Sequence, residues 1–264
     1  MNNLRIGLLG CGNIGKFLLS SVNNENLVER GKITSIYSRN YEKTAEIASQ
    51  YGATAYRSVD EFLTSDLDLV VEVATIEFIK NNALKIIEEK IDVVFSSIGA
   101  FGDSNFYEEV YYKSNVNGVN IYIPSGAIGC LDLLKSAKAI NTLDKVIVET
   151  RKPPISLGVD TDLEKERILF TGSAREAIQK FPKNMNIGIA VSLAGIGADQ
   201  TIVKVIADPT ADKNTHTISG EGAFGEFSIT IKNEAMPNNP KTSYLAALSI
   251  LANIQNKNNA LKIG

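Results

Sequence analysis

The feature that most constrains this chain is a glycine-rich turn set directly between an apolar run and a helix. Leu4 to Leu9 reads as a buried strand, and Ile14 to about Val22 has helical spacing. Between them stands Gly10-Cys11-Gly12-Asn13-Ile14-Gly15, a G-x-G-x-x-G. Each glycine has a reason in that setting. Gly10 permits the tight turn, Gly12 lets the backbone approach a pyrophosphate, and Gly15 lets the helix pack closely on the strand. The free amides of the helix start, Asn13 and Ile14 among them, then hold the phosphates. A plain glycine turn is the alternative, and the strand–turn–helix context argues against it.

The pattern continues in kind. Ile33–Tyr37 reads as a strand, Tyr41–Gln50 as a helix and Thr54–Tyr56 as a short strand. Ser58 and Glu61 fit a capping box at a helix start. Leu67–Ala74 and Asp92–Ile98 are strongly apolar runs, with helices over Ile76–Lys90 and Ser104–Asn115 and a further strand at Asn120–Pro124. Strands alternate with helices through about residue 125. Near-continuous apolar strands joined by helices predict a parallel sheet covered on both faces, a Rossmann-type doubly wound α/β domain. Beyond it Gly129–Ile140 reads as a helix, Lys145–Thr150 as a strand and Ile155–Lys165 as a polar loop. Gln200–Ala207, Thr215–Ser219 and Ala223–Lys232 alternate like half-exposed antiparallel strands. Asn239-Pro240 marks a turn, and a last helix covers Thr242–Gln255. The second half thus predicts an α+β domain with a mainly antiparallel sheet.

Composition removes several classes of function. A net charge of −3 gives no sign of nucleic acid or an anionic membrane as partner. No apolar run approaches the ~20 residues that span a bilayer. The N-terminus runs straight into a strand with no room for a signal peptide, so a cytoplasmic setting is expected. Cys11 and Cys130, the only two cysteines, fit no zinc or redox spacing and read as reduced core residues. No metal site is expected.

Two positions bear on chemistry. After the second strand come Ser38-Arg39-Asn40, with no acid at the strand end to bind a ribose 2′-OH. Arg39 suits a 2′-phosphate, so the sequence predicts that NADP is accepted at least as well as NAD, with Glu42 nearby weakening the argument. The single histidine, His216, excludes any mechanism needing two. It starts a strand-like run after the Asp208-Pro209 turn. It reads either as a partly exposed strand residue or as the general base that takes the proton leaving as hydride departs an amine or alcohol.

Several segments in order carry a resemblance: the Gly10–Gly15 loop, Ser97–Ala100, Ser125-Gly126-Ala127-Ile128-Gly129, Thr150-Arg151-Lys152-Pro153-Pro154 and Gly172–Ala177. They continue with Phe181–Asn186, Leu193–Gly197, Asp208-Pro209 with Asn214-Thr215-His216-Thr217-Ile218, and Asn239–Ser243. Over nearly its whole length the chain resembles the L-aspartate dehydrogenases. The resemblance implies oxidation of L-aspartate to iminosuccinate with NAD or NADP, reversibly, feeding NAD biosynthesis with a functional link to a quinolinate synthase. It implies that His216 is catalytic and that Ala127 and Asn186 contact the cofactor. It also implies a dinucleotide domain of residues 1–125 plus 238–264, a substrate domain of 126–237, and a homodimer formed through the exposed face of the second sheet. A substrate with two carboxylates needs cationic or amide donors. Asn214, Lys241, Thr242 and Ser243 are the candidates, and Arg151-Lys152 reads as a solvated loop more readily than as a clamp. One departure is visible: Cys130 stands where such sequences often carry a second glycine, and its small size predicts no loss.

Other readings remain at this point. A dihydrodipicolinate reductase needs paired histidines, and the catalytic-lysine motif of a homoserine dehydrogenase is not found. A sugar dehydrogenase carries a Lys-Pro pair after a strand, which Lys152-Pro153 could mimic. A non-catalytic NADP(H)-binding redox sensor would need the glycine loop and not His216.

Overall fold

The computed structural model describes residues 3–159, 162–181, 185–237 and 239–261, and divides into two compact units. Residues up to Pro124 together with those from Ala247 onward form one, and Ser125–Ala246 the other.

The first unit alternates strand and helix as the apolar runs require. Its elements are β1 (Leu4–Leu9), α1 (Asn13–Leu19), β2 (Gly31–Tyr37), α2 (Tyr41–Gln50), β3 (Thr54–Tyr56) and α3 (Val59–Leu63), then β4 (Leu69–Glu72), α4 (Ile76–Glu88), β5 (Asp92–Phe95), α5 (Ser104–Asn117) and β6 (Ile121–Tyr122). The strands form one parallel sheet in the order β3-β2-β1-β4-β5-β6. This is the doubly wound order, in which the chain reverses direction across the sheet between β1 and β4 and leaves a crevice at their carboxyl ends. β1 and β4 are apolar on both faces because helices cover both: Ile6, Leu8, Leu9, Leu69, Val70 and Val71 are all fully buried. Ser58 accepts from the Glu61 amide at the start of α3, but the Glu61 carboxylate reaches back to the Arg57 amide, so the capping box is displaced by one residue.

The second unit contains α6 (Leu131–Lys138), β7 (Leu143–Lys152), α7 (Pro154–Leu157), β8 (Arg167–Ser173), α8 (Ala174–Lys180), α9 (Asn186–Ala194), β9 (Ile202–Ala207), β10 (Asn214–Gly222), β11 (Gly225–Asn233), β12 (Ala235–Met236) and β13 (Asn239–Ser243). α10 (Tyr244–Asn258) then carries the chain back. Its Ile250, Leu251 and Ile254 pack with Ile6, Leu8, Leu18 and Ile33 in the core of the first unit. The sheet order is β11-β10-β7-β9-β8, antiparallel except for the parallel pair β7–β9. Along β7, Val146, Val148, Thr150 and Lys152 face the covered side, while Ile147, Glu149 and Arg151 alternate onto a half-exposed face.

Three sequence expectations need correction. Asn239-Pro240 is not a turn: Asn239–Ser243 is a strand paired with β12. Proline is tolerated there because a two-stranded ribbon is all edge. Arg151 and Lys152 are not in a loop, since they end β7. The cysteines are free thiols but half-buried rather than core residues.

Candidate active site

At the crevice of the first unit the glycine loop is tied to the end of β2 by the Gly10 amide, which donates to the Tyr37 carbonyl at 2.8 Å. Ser38 and the exposed Arg39 follow at once. Gly10 has φ +106°, and a Cβ there would meet the Val73 carbonyl oxygen at 2.7 Å, so the turn admits glycine alone. A Cβ on Gly15 would meet the Gly10 oxygen at 2.3 Å, which is the close helix–strand packing in numerical form. Gly12 is different. A Cβ there would meet nothing within 4 Å, so the space over its backbone is open. Gly12 is also the N-cap of α1, and among the described residues no side chain caps the first amides of that helix. Open space above uncapped amides fits a pyrophosphate. Near Ser38 and Arg39, Glu42 lies 4.0 Å from Arg57, whose guanidinium stacks 3.7 Å over Tyr41, so its charge is drawn toward Arg57.

The crest beside this loop is held by a residue that sequence reading missed. Glu72, the last residue of β4, is fully buried. Its carboxylate accepts from the amides of Ala74 (2.6 Å), Ser97 (3.0 Å) and Ser96 (3.2 Å) and from the Ser97 hydroxyl (2.9 Å). It thereby clamps the loops after β4 and β5, and the first of these is the segment against which Gly10 packs. Burial pushes its pKa up to about 7, with the four hydrogen bonds pulling the other way. An acid inside an otherwise apolar strand was the signal.

In the second unit, β10 places His216 on the covered face of the sheet, 2% exposed, opposite Thr150 of β7. His216 Nδ1 lies 3.1 Å from the Thr150 hydroxyl oxygen. The tautomer with Nδ1–H donating to Thr150 leaves the Nε2 lone pair available, which a general base requires. Burial, and secondarily the charge of Lys152, lower the His216 pKa to about 3, so the imidazole rests neutral. The residue is thus neither the exposed strand histidine of the simpler expectation nor a surface cation.

The expected contacts around it gather through one further residue, Asn233 at the end of β11. Its side-chain amide donates to the Ala127 carbonyl at 3.0 Å, its side-chain oxygen accepts from the Ser243 hydroxyl at 2.5 Å, and its strand partner is Asn214. Asn233 therefore joins Ala127, Asn214 and Ser243, although nothing in its local sequence singled it out. Thr242 accepts from the Asn239 side chain at 2.6 Å. Asn186 opens α9. The side chain of Lys241, and Pro182, Lys183 and Asn184 of the Phe181–Asn186 segment, lie outside the described residues. Cys130 is in the left-handed conformation, φ +61°, at the N-cap of α6, so the position favours glycine on backbone grounds that side-chain size does not address.

Comparisons with known proteins place the chain in a family. Residues 132–257 match the family described as aspartate dehydrogenase, C-terminal, and residues 10–124 that described as homoserine dehydrogenase, NAD binding domain. The chain is 39% identical over 261 residues to the L-aspartate dehydrogenase of Methanospirillum hungatei, with 99% of each chain covered. The chain belongs to the L-aspartate dehydrogenase family. Its identity to the Methanococcus maripaludis L-aspartate dehydrogenase is 35%, again over 99% of both. The crystal structure of aspartate dehydrogenase from Thermotoga maritima superposes with a TM-score of 0.83 at 30% identity, covering 100% of both chains. The apo scyllo-inositol dehydrogenase from Lactobacillus casei gives 0.58 at 11% identity over 96% of this chain and 86% of that one, a likeness of fold alone. For this member of the L-aspartate dehydrogenase family, the match of residues 10–124 to an NAD-binding domain sets the cofactor class as NAD(P).

Proposed function

We propose that this chain oxidises L-aspartate to iminosuccinate with NAD(P)+, and in reverse aminates oxaloacetate reductively. The observation that carries the reading is a neutral, buried His216 held by Thr150, in a chain that matches L-aspartate dehydrogenases end to end. A bound nicotinamide would supply the hydride acceptor for this oxidation. The amides after Gly12 and the loops clamped by Glu72 would hold the dinucleotide, with Ala127 and Asn186 as its further contacts. His216 Nε2 removes a proton from the substrate ammonium, and the freed lone pair drives hydride from Cα. Thr150 fixes the ring so that this nitrogen faces the proton. Such transfer contributes about 10²–10⁴-fold. Asn214, Lys241, Thr242 and Ser243 receive the substrate carboxylates, with Asn233 fixing the positions of Asn214 and Ser243.

In this reading the unit of residues up to Pro124 with those from Ala247 onward serves the dinucleotide, and Ser125–Ala246, which carries Lys241, Thr242 and Ser243, the substrate. Ser38 and Arg39 admit NADP alongside NAD. The half-exposed face of the second sheet, with Ile147, Thr217 and Ser219, supports assembly as a homodimer. The product is an imine that hydrolyses in water, which favours its prompt consumption; the same reading places that step in the cytoplasm, by a quinolinate synthase of NAD biosynthesis. The test follows reduced-nicotinamide absorbance with L-aspartate, D-aspartate, L-glutamate and a sugar panel under NAD+ and NADP+. Signal with L-aspartate alone is expected. Silence in both directions, including oxaloacetate plus ammonia, rejects the substrate.

A further inference from the structure

Arg151 and Lys152 are neighbours in sequence but not in environment, because consecutive residues of a strand point to opposite faces. Arg151 lies on the half-exposed face, where Asp208 (2.9 Å), Glu149 (3.3 Å) and Glu166 surround its guanidinium. Lys152 lies on the covered face, 9% exposed, two residues along from Thr150 and hence next to His216. Extending the Thr215–Arg151 register by one residue brings Asn214 opposite Lys152, and Asn214 itself pairs with Asn233. A row of donors, Asn233, Asn214 and Lys152, therefore crosses three strands immediately beyond the row that holds His216. The other lysines of these strands, Lys145, Lys204 and Lys232, alternate onto the opposite face. Among the described residues of β7, β9, β10 and β11, Lys152 is the one cation on the face of the imidazole. The strand end is fixed in place: the Lys152 carbonyl accepts from the Asp208 amide at 2.9 Å, and two prolines follow.

We propose that Lys152 is a substrate-binding residue whose ammonium receives a carboxylate of the dicarboxylic substrate beside His216. The inference rests on the reading of the chain as an L-aspartate dehydrogenase and supplies a cationic receptor placed on the sheet itself. It also orders the events. Burial, and secondarily the charge of Lys152, hold the imidazole neutral. A carboxylate seated on the ammonium compensates its charge, so His216 becomes a better base once the molecule to be deprotonated has arrived.

The test uses the full chain with NAD+ bound and titrates it calorimetrically with succinate, a dicarboxylate that cannot be oxidised at an amine. Lys152→Met is expected to weaken succinate binding, and to raise KM for L-aspartate, about 100-fold. NAD+ affinity stays at the wild-type value, and Lys152→Arg recovers part of the succinate affinity. Lys152→Gln, neutral and polar, is read the same way should the methionine variant not fold. Wild-type succinate affinity in either neutral variant overturns the proposal, as does a loss of NAD+ affinity equal to that of succinate. The assigned reaction fails separately. Wild-type protein that binds succinate through Lys152 but never turns over L-aspartate leaves this site standing and removes the reaction.

Discussion

His216 shows how one position couples chemistry to folding. Its pKa lies near 3 in the folded chain against 6.5 when free, so the unfolded chain takes the proton first as pH falls. Stability from this residue is complete above about pH 6.5 and is lost progressively toward pH 3. Urea midpoints across that window should drop steeply in the wild type and less so in His216→Ala. The same variant should lose about 10²–10⁴-fold in kcat with cofactor affinity intact, measured by steady-state rates and by calorimetric titration with NADH. Glu72 runs in the opposite sense, with a folded value near 7 against 4.5. Its contribution is present below pH 4.5 and lost as pH rises through 7. Glu72→Gln should abolish that dependence and, by turning amide hydrogens toward backbone donors, cost about 1–3 kcal/mol in urea unfolding. Of these residues only His216 was legible beforehand, because a lone histidine draws attention by type. Glu72 and Asn233 act through what they hold, and a sequence does not display what an amide or carboxylate will meet across strands.

At the scale of elements, the glycine loop separates binding from folding. Gly12→Ala should leave the melting temperature near wild type, because a Cβ there meets open space, yet weaken NAD(P)H binding by filling the approach to the amides. Gly15→Ala should instead destabilise, since its Cβ collides with the Gly10 oxygen. Comparing the two melting curves with the two titrations checks both outcomes. Cys130→Gly should stabilise α6 by about 1 kcal/mol, read as a higher urea midpoint, by relieving a left-handed non-glycine residue. The strands of the first unit were legible because burial on both faces leaves an unbroken apolar run. β8 and α9 were not. β8 carries a register shift between Ile168 and Phe170 that breaks alternation, and Asn186–Ala194 is apolar nearly all round, so neither shows a period. The end of β7 was hidden by its prolines, which read as loop and concealed the opposite facing of Arg151 and Lys152.

At the scale of the molecule, doubly wound topology and a mainly antiparallel second sheet follow from the change in patterning near residue 125. The order of strands within the second sheet does not follow from pattern, because the parallel pair β7–β9 joins segments separated by α7, β8, α8 and α9. The return of α10 to the first core has a further consequence. Ile250, Leu251 and Ile254 lie far along the chain from β1 and α1, yet they pack with the side chains of both. Until α10 docks, the apolar stripe of β1 and α1 that it packs against lacks that cover. Completion of the dinucleotide unit therefore waits on a contact of high sequence separation, whose loop-closure entropy slows folding.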